Sequence, residues 1–187
     1  MLLSDIREKV KNYRSRELDA EPGVRASVMV PLLQKDDGLH ILLTKRTDEM
    51  KAYPGEISFP GGMYEERDGD TMRTALRESC EEIGVSVRDV EIIGRLDDER
   101  TLSGFVITPY VGVIPYPYNF SISRREVAYL VHLPYEHIAR GEAAREVTDY
   151  KGRVETIDAI YYNGERIWGA TCRILLKLKR IVDHEHG

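Results

Sequence analysis

The chain has 187 residues, of which 42% are hydrophobic and 32% are charged. This length predicts one globular domain, large enough to bury a core without disulfide or metal staples. The formal net charge of -5 argues against a protein that grips nucleic acid by bulk charge, because such domains are usually basic.

The sequence patterns predict helices and strands intermixed along the chain, without a visible linker. In chain order we expect a helix over 2–19, strands over 24–34 and 39–46, a helix over 71–83 that ends at Gly84, strands over 89–96, 105–114 and 126–133, a short helix near 134–140, strands over 145–150 and 153–162, and a helix over 169–182. This order predicts a single α/β domain with a mixed, largely antiparallel sheet. Its expected parts are an N-terminal helix within 1–22, a core over 24–178 and a tail over 179–187.

The N-terminal residues, the apolar runs and the cysteines do not suggest an extracellular or membrane protein. The first residues lack the apolar core of a signal peptide, and no apolar run is long enough to span a bilayer. Cys80 and Cys172 both fall in helical patterns, and we expect two buried thiols in a reducing compartment. The sequence therefore predicts a cytoplasmic protein without membrane or nucleic-acid partners.

The acidic excess is concentrated in one short segment. Residues 65–82 contain seven acids and three bases, so this segment accounts for -4 of the net charge of -5. On a helical wheel, Glu81 and Glu82 lie within about 60° of Glu78, so the three carboxylates share one face of the predicted helix. The opposite face is predicted to be apolar and to consist of Met72, Leu76, Cys80 and Ile83.

Two interpretations of this acidic face are open. It can be an ordinary solvated surface, which is the common role of a charged helix face. It can also be a cation site, because the helix follows a glycine-rich loop and Mg²⁺ is typically held by one or two carboxylates together with substrate phosphate oxygens.

Residues 77–85, with the sequence RESCEEIGV, resemble the core of the Nudix box. The pattern of the box there is Arg-Glu-apolar-x-Glu-Glu-x-Gly-apolar, and only Ser79 departs from it. The upstream half of the box departs more, because Gly69 stands where a glutamate belongs and Asp68 is its nearest equivalent. The resemblance implies a Nudix-type α/β/α sandwich that hydrolyses a nucleoside diphosphate linked to another group.

Residues 42–62, with the sequence LLTKRTDEMKAYPGEISFPGG, resemble the second signature of the coenzyme A diphosphatase branch of that family. Two positions depart from the signature: Thr47 replaces a small residue and Lys51 replaces an arginine. The segment makes sense as a substrate-binding wall, in which Arg46 and Lys51 meet phosphates and Gly61 and Gly62 let the backbone approach a ligand. The alternatives are that Arg46 and Lys51 are solvated surface cations and that Gly61 and Gly62 form a simple turn.

The resemblance also assigns chemical roles, with Mg²⁺ or Mn²⁺ as the expected cofactor. It implies that water attacks the pyrophosphate of coenzyme A, giving 3′,5′-ADP and 4′-phosphopantetheine. The metal ligands would be Glu78 and Glu82, with Glu81 as the third. Arg77 is expected to pair with a nearby carboxylate, Asp68, and to orient the ligands.

The general base is open between two residues. The catalytic candidates are Glu78 and Glu81 in the box, together with Glu126, which precedes a late strand; the base would be Glu78 or Glu126. An alternative for Glu126 is a surface acid beside Arg124 and Arg125.

Three other functions are open. The chain can be a Nudix diphosphatase of another nucleotide (ADP-ribose, NADH, a dinucleoside polyphosphate or a nucleoside triphosphate), a non-catalytic nucleotide-binding Nudix module, or an acidic interaction surface. The expected partner is a small nucleotide, and a homodimer is possible.

Overall fold

The structure is a computed structural model, and it describes residues 3–19, 24–150 and 152–183. The helices are α1 (Leu3–Asn12), α2 (Thr71–Ile83), α3 (Tyr135–Arg140) and α4 (Gly169–Asp183). The strands are β1 (Arg25–Lys35), β2 (Gly38–Arg46), β3 (Ile57–Ser58), β4 (Gly61–Met63), β5 (Glu91–Arg95), β6 (Glu99–Arg100), β7 (Val106–Val113), β8 (Val127–Pro134), β9 (Ala144–Tyr150), β10 (Arg153–Tyr162) and β11 (Glu165–Trp168). Single 3₁₀ turns occupy Glu66–Asp68 and Val87–Asp89.

The described strands form two sheets. The larger one has the order β3-β2-β1-β7-β5, with β4 paired to β1, β6 to β7 and β8 to β2. Within it, β1 and β7 run parallel, whereas the other pairs are antiparallel. The predicted mixed, largely antiparallel sheet is confirmed. A second, antiparallel sheet has the order β11-β10-β9.

Helices cover both faces of the larger sheet, because its strands are apolar on both faces. On one face, Leu33 and Leu42 pack in a cluster with Ile83 of α2. On the other, the neighbouring Leu32 and Leu43 belong to a larger cluster that includes the buried residues of α1 and α4. Successive side chains of a strand point to opposite faces, so adjacent leucines serve different layers. The result is the expected α/β/α arrangement, which places α2 alone against one face.

Both ends of the described chain differ from the prediction. Helix α1 ends at Asn12 rather than at residue 19, because the backbone that follows binds acids about 80 residues away. The Arg16 N–H donates to Asp97 Oδ1 at 2.7 Å and the Leu18 N–H to Asp98 Oδ2 at 2.9 Å. Helix α4 continues through Asp183, so residues 179–183 belong to the helix rather than to a tail. The predicted segments 20–22 and 184–187 lie outside the described residues.

The described helices include none with the length and apolar character that crossing a membrane requires.

The Asp98 carboxylate is the most heavily bonded anchor of the extended segment after α1. Its side chain has no exposed surface, pairs with Arg25 and Arg95, and accepts hydrogen bonds from the Leu18 N–H and the Thr108 hydroxyl. Burial pushes the pKa of Asp98 upward, but the hydrogen bonds from Leu18, Arg95 and Thr108 outweigh it, and the pKa is lowered overall.

We expect Asp98→Asn to destabilise the fold by about 3 kcal/mol, because it removes one partner from buried ion pairs. This corresponds to a melting temperature lower by roughly 6 to 12 °C. Because the folded-state pKa is lowered, the contribution of Asp98 is present above its unfolded value of about 4 and is lost as the pH falls below it. The gap between the wild-type and variant melting curves should therefore shrink at acidic pH; a gap that is independent of pH would contradict this account.

Candidate active site

Helix α2 has defined ends, which fix the rotation of its side chains. Asp70 caps its N-terminus by accepting a hydrogen bond from the Arg73 N–H at 2.8 Å. At the other end Gly84 adopts a left-handed conformation with φ 68°, and its N–H donates to the Cys80 carbonyl. The helix spans the predicted residues 71–83.

The face of α2 that points into the protein differs from the apolar face predicted by the wheel. The buried residues are Thr74, Ala75, Ser79, Glu82 and Ile83. Cys80 is exposed, so the expectation of two buried thiols holds only for Cys172. The wheel placed the apolar face opposite the carboxylates, whereas the small side chains of Ala75 and Ser79 let the helix approach the sheet on the side that also buries Glu82.

The Gly61–Gly62 pair brings strand β4 against α2. Gly61 pairs with Val28 of β1, and a Cβ atom added to it would lie 2.7 Å from the Val28 Cα atom. A Cβ atom added to Gly62 would lie 2.7 Å from Glu78 Oε2, closer than real Cβ contacts come. Gly61 is therefore required for space, because a Cβ atom there would meet the backbone of β1, whereas a Cβ atom at Gly62 would displace the Glu78 carboxylate.

Glu82 is a buried carboxyl group with an unsatisfied oxygen. The residue is 3% exposed, and in the described part of the protein its Oε2 atom has no hydrogen-bond partner. Burial raises the pKa of Glu82 to about 8, and the negative charges of Glu78 and Glu126 add to the rise, whereas the positive charge of Arg46 and a backbone hydrogen bond from Gly61 oppose it. A cation placed beside Oε2 would offset the cost of burying this charge.

Glu78 lies one helical turn before Glu82 and is also partly buried. Burial raises its pKa, its hydrogen bond with Arg77 opposes the rise, and the charges of Glu81 and Glu126 add to it. The negative charge of Glu126, in the loop before β8, therefore acts on both Glu78 and Glu82. The fold thus brings together acids that are 48 residues apart in sequence.

Arg77 is the basic centre of this acidic group. Its Nε and Nη2 atoms donate to the two oxygens of Asp68 at 2.8 and 3.1 Å, and Nη1 donates to Glu78 at 2.8 Å and to Glu81 at 3.2 Å. Nη2 also donates to the Met63 carbonyl at the end of β4. The hydrogen bonds from Arg77 hold the pKa of Asp68 well below its usual range. Arg77 thereby ties the loop, strand β4 and helix α2 together.

A cavity of about 410 Å³ opens beside Gly61 and Gly62. Six of the residues predicted for the site line it: Arg46, Gly61, Gly62, Glu78, Glu82 and Glu126. Aromatic side chains form part of its wall: Tyr53, Phe59, Phe105 and Trp168. The cavity thus combines an acidic floor, two arginines (Arg46 and Arg173) and an aromatic wall.

Four predicted residues do not line this cavity. Arg77 and Asp68 lie behind the glutamates, Lys51 is exposed on the loop between β2 and β3, and the Glu81 side chain is 56% exposed. Across the described ranges, no group of three or more His, Cys, Asp or Glu side chains converges on one cation position. The hydrogen bonds from Arg77 to Glu78 and Glu81 explain in part why these carboxylates do not converge with Glu82 on one cation position.

Sequence reasoning did not name several cavity residues as site residues, among them Glu56, Tyr53 and Trp168. Glu56 lines the cavity, and burial raises its pKa against the opposing charges of Arg46 and Arg166. The Tyr53 hydroxyl donates to Ser103 at 2.6 Å and so holds the loop that carries Lys51 across the cavity rim. Trp168 stands just before α4 with the Arg166 guanidinium 5.0 Å from its ring centre. Glu56 and Tyr53 both lie inside the 42–62 motif, which is the signal that could have found them, whereas the place of Trp168 in the cavity depends on contacts distant in sequence.

The fold, the paired glycines and the acidic helix are matched by one family of known proteins. The NUDIX domain family matches residues 23–168, and the chain belongs to that family and is a Nudix hydrolase. An "Uncharacterized Nudix hydrolase NudL" from Enterobacter sp. (strain 638) is 32% identical over 155 residues, which cover 82% of this chain and 80% of that protein. A protein with the same name from Yersinia enterocolitica is 31% identical over 159 residues, covering 84% and 81%.

Solved structures support the same fold. A MutT/nudix family protein from Enterococcus faecalis superposes with a TM-score of 0.55 at 17% identity, covering 98% of this chain and 70% of that one. An Ap4A hydrolase from C. elegans, solved as a binary complex, gives a TM-score of 0.51 at 17% identity, covering 59% and 80%. At these identities the likeness shows the fold alone.

The residues present fit a divalent cation, the general cofactor of Nudix hydrolases. Glu82 offers a buried oxygen that lacks a partner among the described atoms, and Glu78 lies beside it with Gly62 leaving room for its carboxylate. Carboxylate oxygens are the ligands that Mg²⁺ and Mn²⁺ prefer. Glu78 and Glu82 are therefore the side chains that would hold the ion.

We expect Gly62→Ala to weaken Mn²⁺ binding by about tenfold or more, because the added Cβ displaces the Glu78 carboxylate. Isothermal titration with Mn²⁺ measures the change, and thermal unfolding checks that the variant is folded. Gly164→Ala is the matched control: Gly164 has φ +81° and open space around it, so alanine there costs stability without touching the cavity. Equal Mn²⁺ affinity in Gly62→Ala and wild type would refute the proposed link between Gly62 and the metal site.

Proposed function

We propose that this Nudix hydrolase cleaves the pyrophosphate bond of coenzyme A, or of a derivative, to 3′,5′-ADP and 4′-phosphopantetheine with Mg²⁺ or Mn²⁺. The observation that carries the proposal is the buried carboxylate of Glu82, whose Oε2 atom has no hydrogen-bond partner among the described residues, beside Glu78 in a cavity that Arg46 also lines. The choice of coenzyme A rests on the motif in residues 42–62, whose Arg46, Gly61 and Gly62 form part of the cavity wall.

The substrate and the cavity floor are both anionic, so a cation has to lie between them. When bound, the divalent ion neutralises charge on the phosphate oxygens and lowers the pKa of a coordinated water. Glu78 and Glu82 hold that ion in this proposal. Glu81 can join as a third ligand when its carboxylate leaves Arg77, which it contacts at 3.2 Å at the surface.

Arg77 and Asp68 act by positioning the ligands rather than by touching substrate. The Arg77–Asp68 pair holds the guanidinium on the side of Glu78 away from the cavity. From there its hydrogen bond to Glu78 Oε1 orients the carboxylate. A partner of this kind behind a metal ligand fixes the direction in which the ligand points.

The proton of the attacking water requires a base at the cavity. Glu126 lines the cavity and interacts electrostatically with both Glu78 and Glu82, so we propose it as the general base when Glu78 is engaged as a ligand. Glu78 remains the alternative base, and Glu81 lies farther out. A Glu126→Gln variant that keeps wild-type turnover would favour Glu78.

Arg46 is proposed to bind the phosphates and the aromatic wall to bind the rest of the substrate. Arg46 lines the cavity, and its positive charge opposes the pKa rise of both Glu56 and Glu82, so its field reaches the acidic floor. Lys51 is exposed on the rim loop and can meet only a part of the substrate that extends out of the cavity. The two free cysteines are consistent with the proposed cytoplasmic location.

A product analysis over a substrate panel tests the substrate class. With Mg²⁺ or Mn²⁺, we expect coenzyme A or its acyl or oxidised forms to be cleaved with the highest kcat/KM, and chromatography to show 3′,5′-ADP. The comparison substrates are ADP-ribose, NADH, dinucleoside polyphosphates and nucleoside triphosphates. Preferential cleavage of one of these would replace coenzyme A by that nucleotide, and binding without cleavage of any would indicate a non-catalytic module.

Glu82→Gln tests the role of the buried carboxylate. We expect turnover to fall at least about 100-fold, because the neutral amide loses the charge that holds the ion. Without metal and near neutral pH, stability should stay about equal, because burial raises the pKa of Glu82 to about 8 and leaves this side chain mostly neutral, like the amide. Glu66→Gln is the matched control, since Glu66 is an exposed acid of the same acidic segment. Wild-type turnover in Glu82→Gln would remove Glu82 from the mechanism.

A further inference from the structure

Strand β9 lies at the outer edge of the smaller sheet. The sheet has the order β11-β10-β9, so β10 occupies one edge of β9, and no described strand occupies the other. An unpaired edge presents a row of backbone donors and acceptors to any other strand. Pairing with a further strand would satisfy them.

Two exposed valines lie among the charged residues of the surface next to this edge. Val147 of β9 is 72% exposed and Val154 of β10 is 76% exposed. Val147 pairs with Thr156, and Val154 pairs with Asp149, so both valines lie on the same face of the hairpin. A strand added at the β9 edge would bring a neighbour against Val147.

The sequence of β9 is complementary to itself in the antiparallel direction. When two copies pair about a twofold axis at Val147, Arg145 of each copy lies opposite Asp149 of the other, and Glu146 lies opposite Thr148. Val147 lies opposite Val147 of the second copy. This register uses all seven residues of the strand. If the two strands slide by one or two residues relative to this register, both Arg145–Asp149 pairs are lost. In one of these shifted registers Glu146 lies opposite Glu146 of the second copy.

We propose that the occupant of this edge is a second copy of the chain, which adds its own β9 antiparallel and joins the two small sheets into one of six strands. Each Arg145–Asp149 contact places opposite charges directly across from each other, and the valines form an apolar patch between the copies. Asp149 already accepts the Gly152 N–H at 2.8 Å, which fixes its position at the end of the strand. This inference is independent of the proposed substrate.

The same strand supports the cavity wall. Glu146 of β9 accepts two hydrogen bonds from Arg166, at 3.0 and 2.7 Å, and Arg166 covers the ring of Trp168. The Glu146–Arg166 ion pair therefore connects the proposed dimer edge to Trp168, an aromatic side chain of the cavity.

Charge-reversal variants of the full chain test this interface by sedimentation velocity over a concentration series. We expect the wild type to dimerise, and Arg145→Asp and Asp149→Arg each to weaken the dimer by about tenfold, because each places like charges opposite at two positions. An equimolar mixture of the two single variants should restore a dimer, since the heterodimer recovers both opposite-charge pairs. The double variant should restore its own dimer for the same reason.

Arg153→Asp is the matched control, because Arg153 is exposed on β10 and is absent from the proposed contacts. Thermal unfolding shows whether each variant is folded. A monomeric wild type at every concentration, a dimer unaffected by the single reversals, or the absence of rescue in the mixture would overturn the proposal.

Discussion

The Arg77 guanidinium and the buried Asp68 carboxylate share two hydrogen bonds, and this pair fixes the loop before α2 against the helix itself. Asp68 is only 3% exposed at its side chain, so removing either partner would leave a buried charge, at a cost of about 3 to 5 kcal/mol. Thr74 and the Glu65 N–H satisfy the remaining positions of Asp68. With the guanidinium held there, Nη1 donates to Glu78, and Nη2 also donates to the Met63 carbonyl at the end of β4.

Arg77 donates hydrogen bonds to Glu78 and Glu81 but not to Glu82, whose Oε2 atom has no hydrogen-bond partner among the described residues. Gly61 and Gly62 bring β4 close enough to bury this carboxylate, and the charges of Glu78 and Glu126 raise its pKa further. Such an arrangement is unfavourable by itself and becomes favourable when a cation is bound. Within the acidic segment 65–82, Asp68 and Glu81 pair with Arg77, Glu82 faces the cavity, and Glu78 does both.

Features set by local sequence were predictable, and features set by distant contacts were not. The span of α2 followed from its helical pattern and from Gly84, whereas its inward face did not, because Glu82 is buried through contacts distant in sequence, such as its hydrogen bond from the Gly61 backbone. Helix α1 ended early because the backbone after it finds acceptors at Asp97 and Asp98. The 42–62 motif located Arg46 and the glycines, but the position of Lys51 outside the cavity depends on the course of a loop.

Anomalous diffraction from crystals soaked in Mn²⁺ tests the central claim most directly, since it locates the ion without relying on turnover. The account predicts a peak about 2.1 Å from Glu82 Oε2 and within bonding distance of Glu78. The peak should disappear in crystals of Glu82→Gln. A peak elsewhere on the chain, or a Glu82 carboxylate that stays without a metal at saturating Mn²⁺, would contradict it.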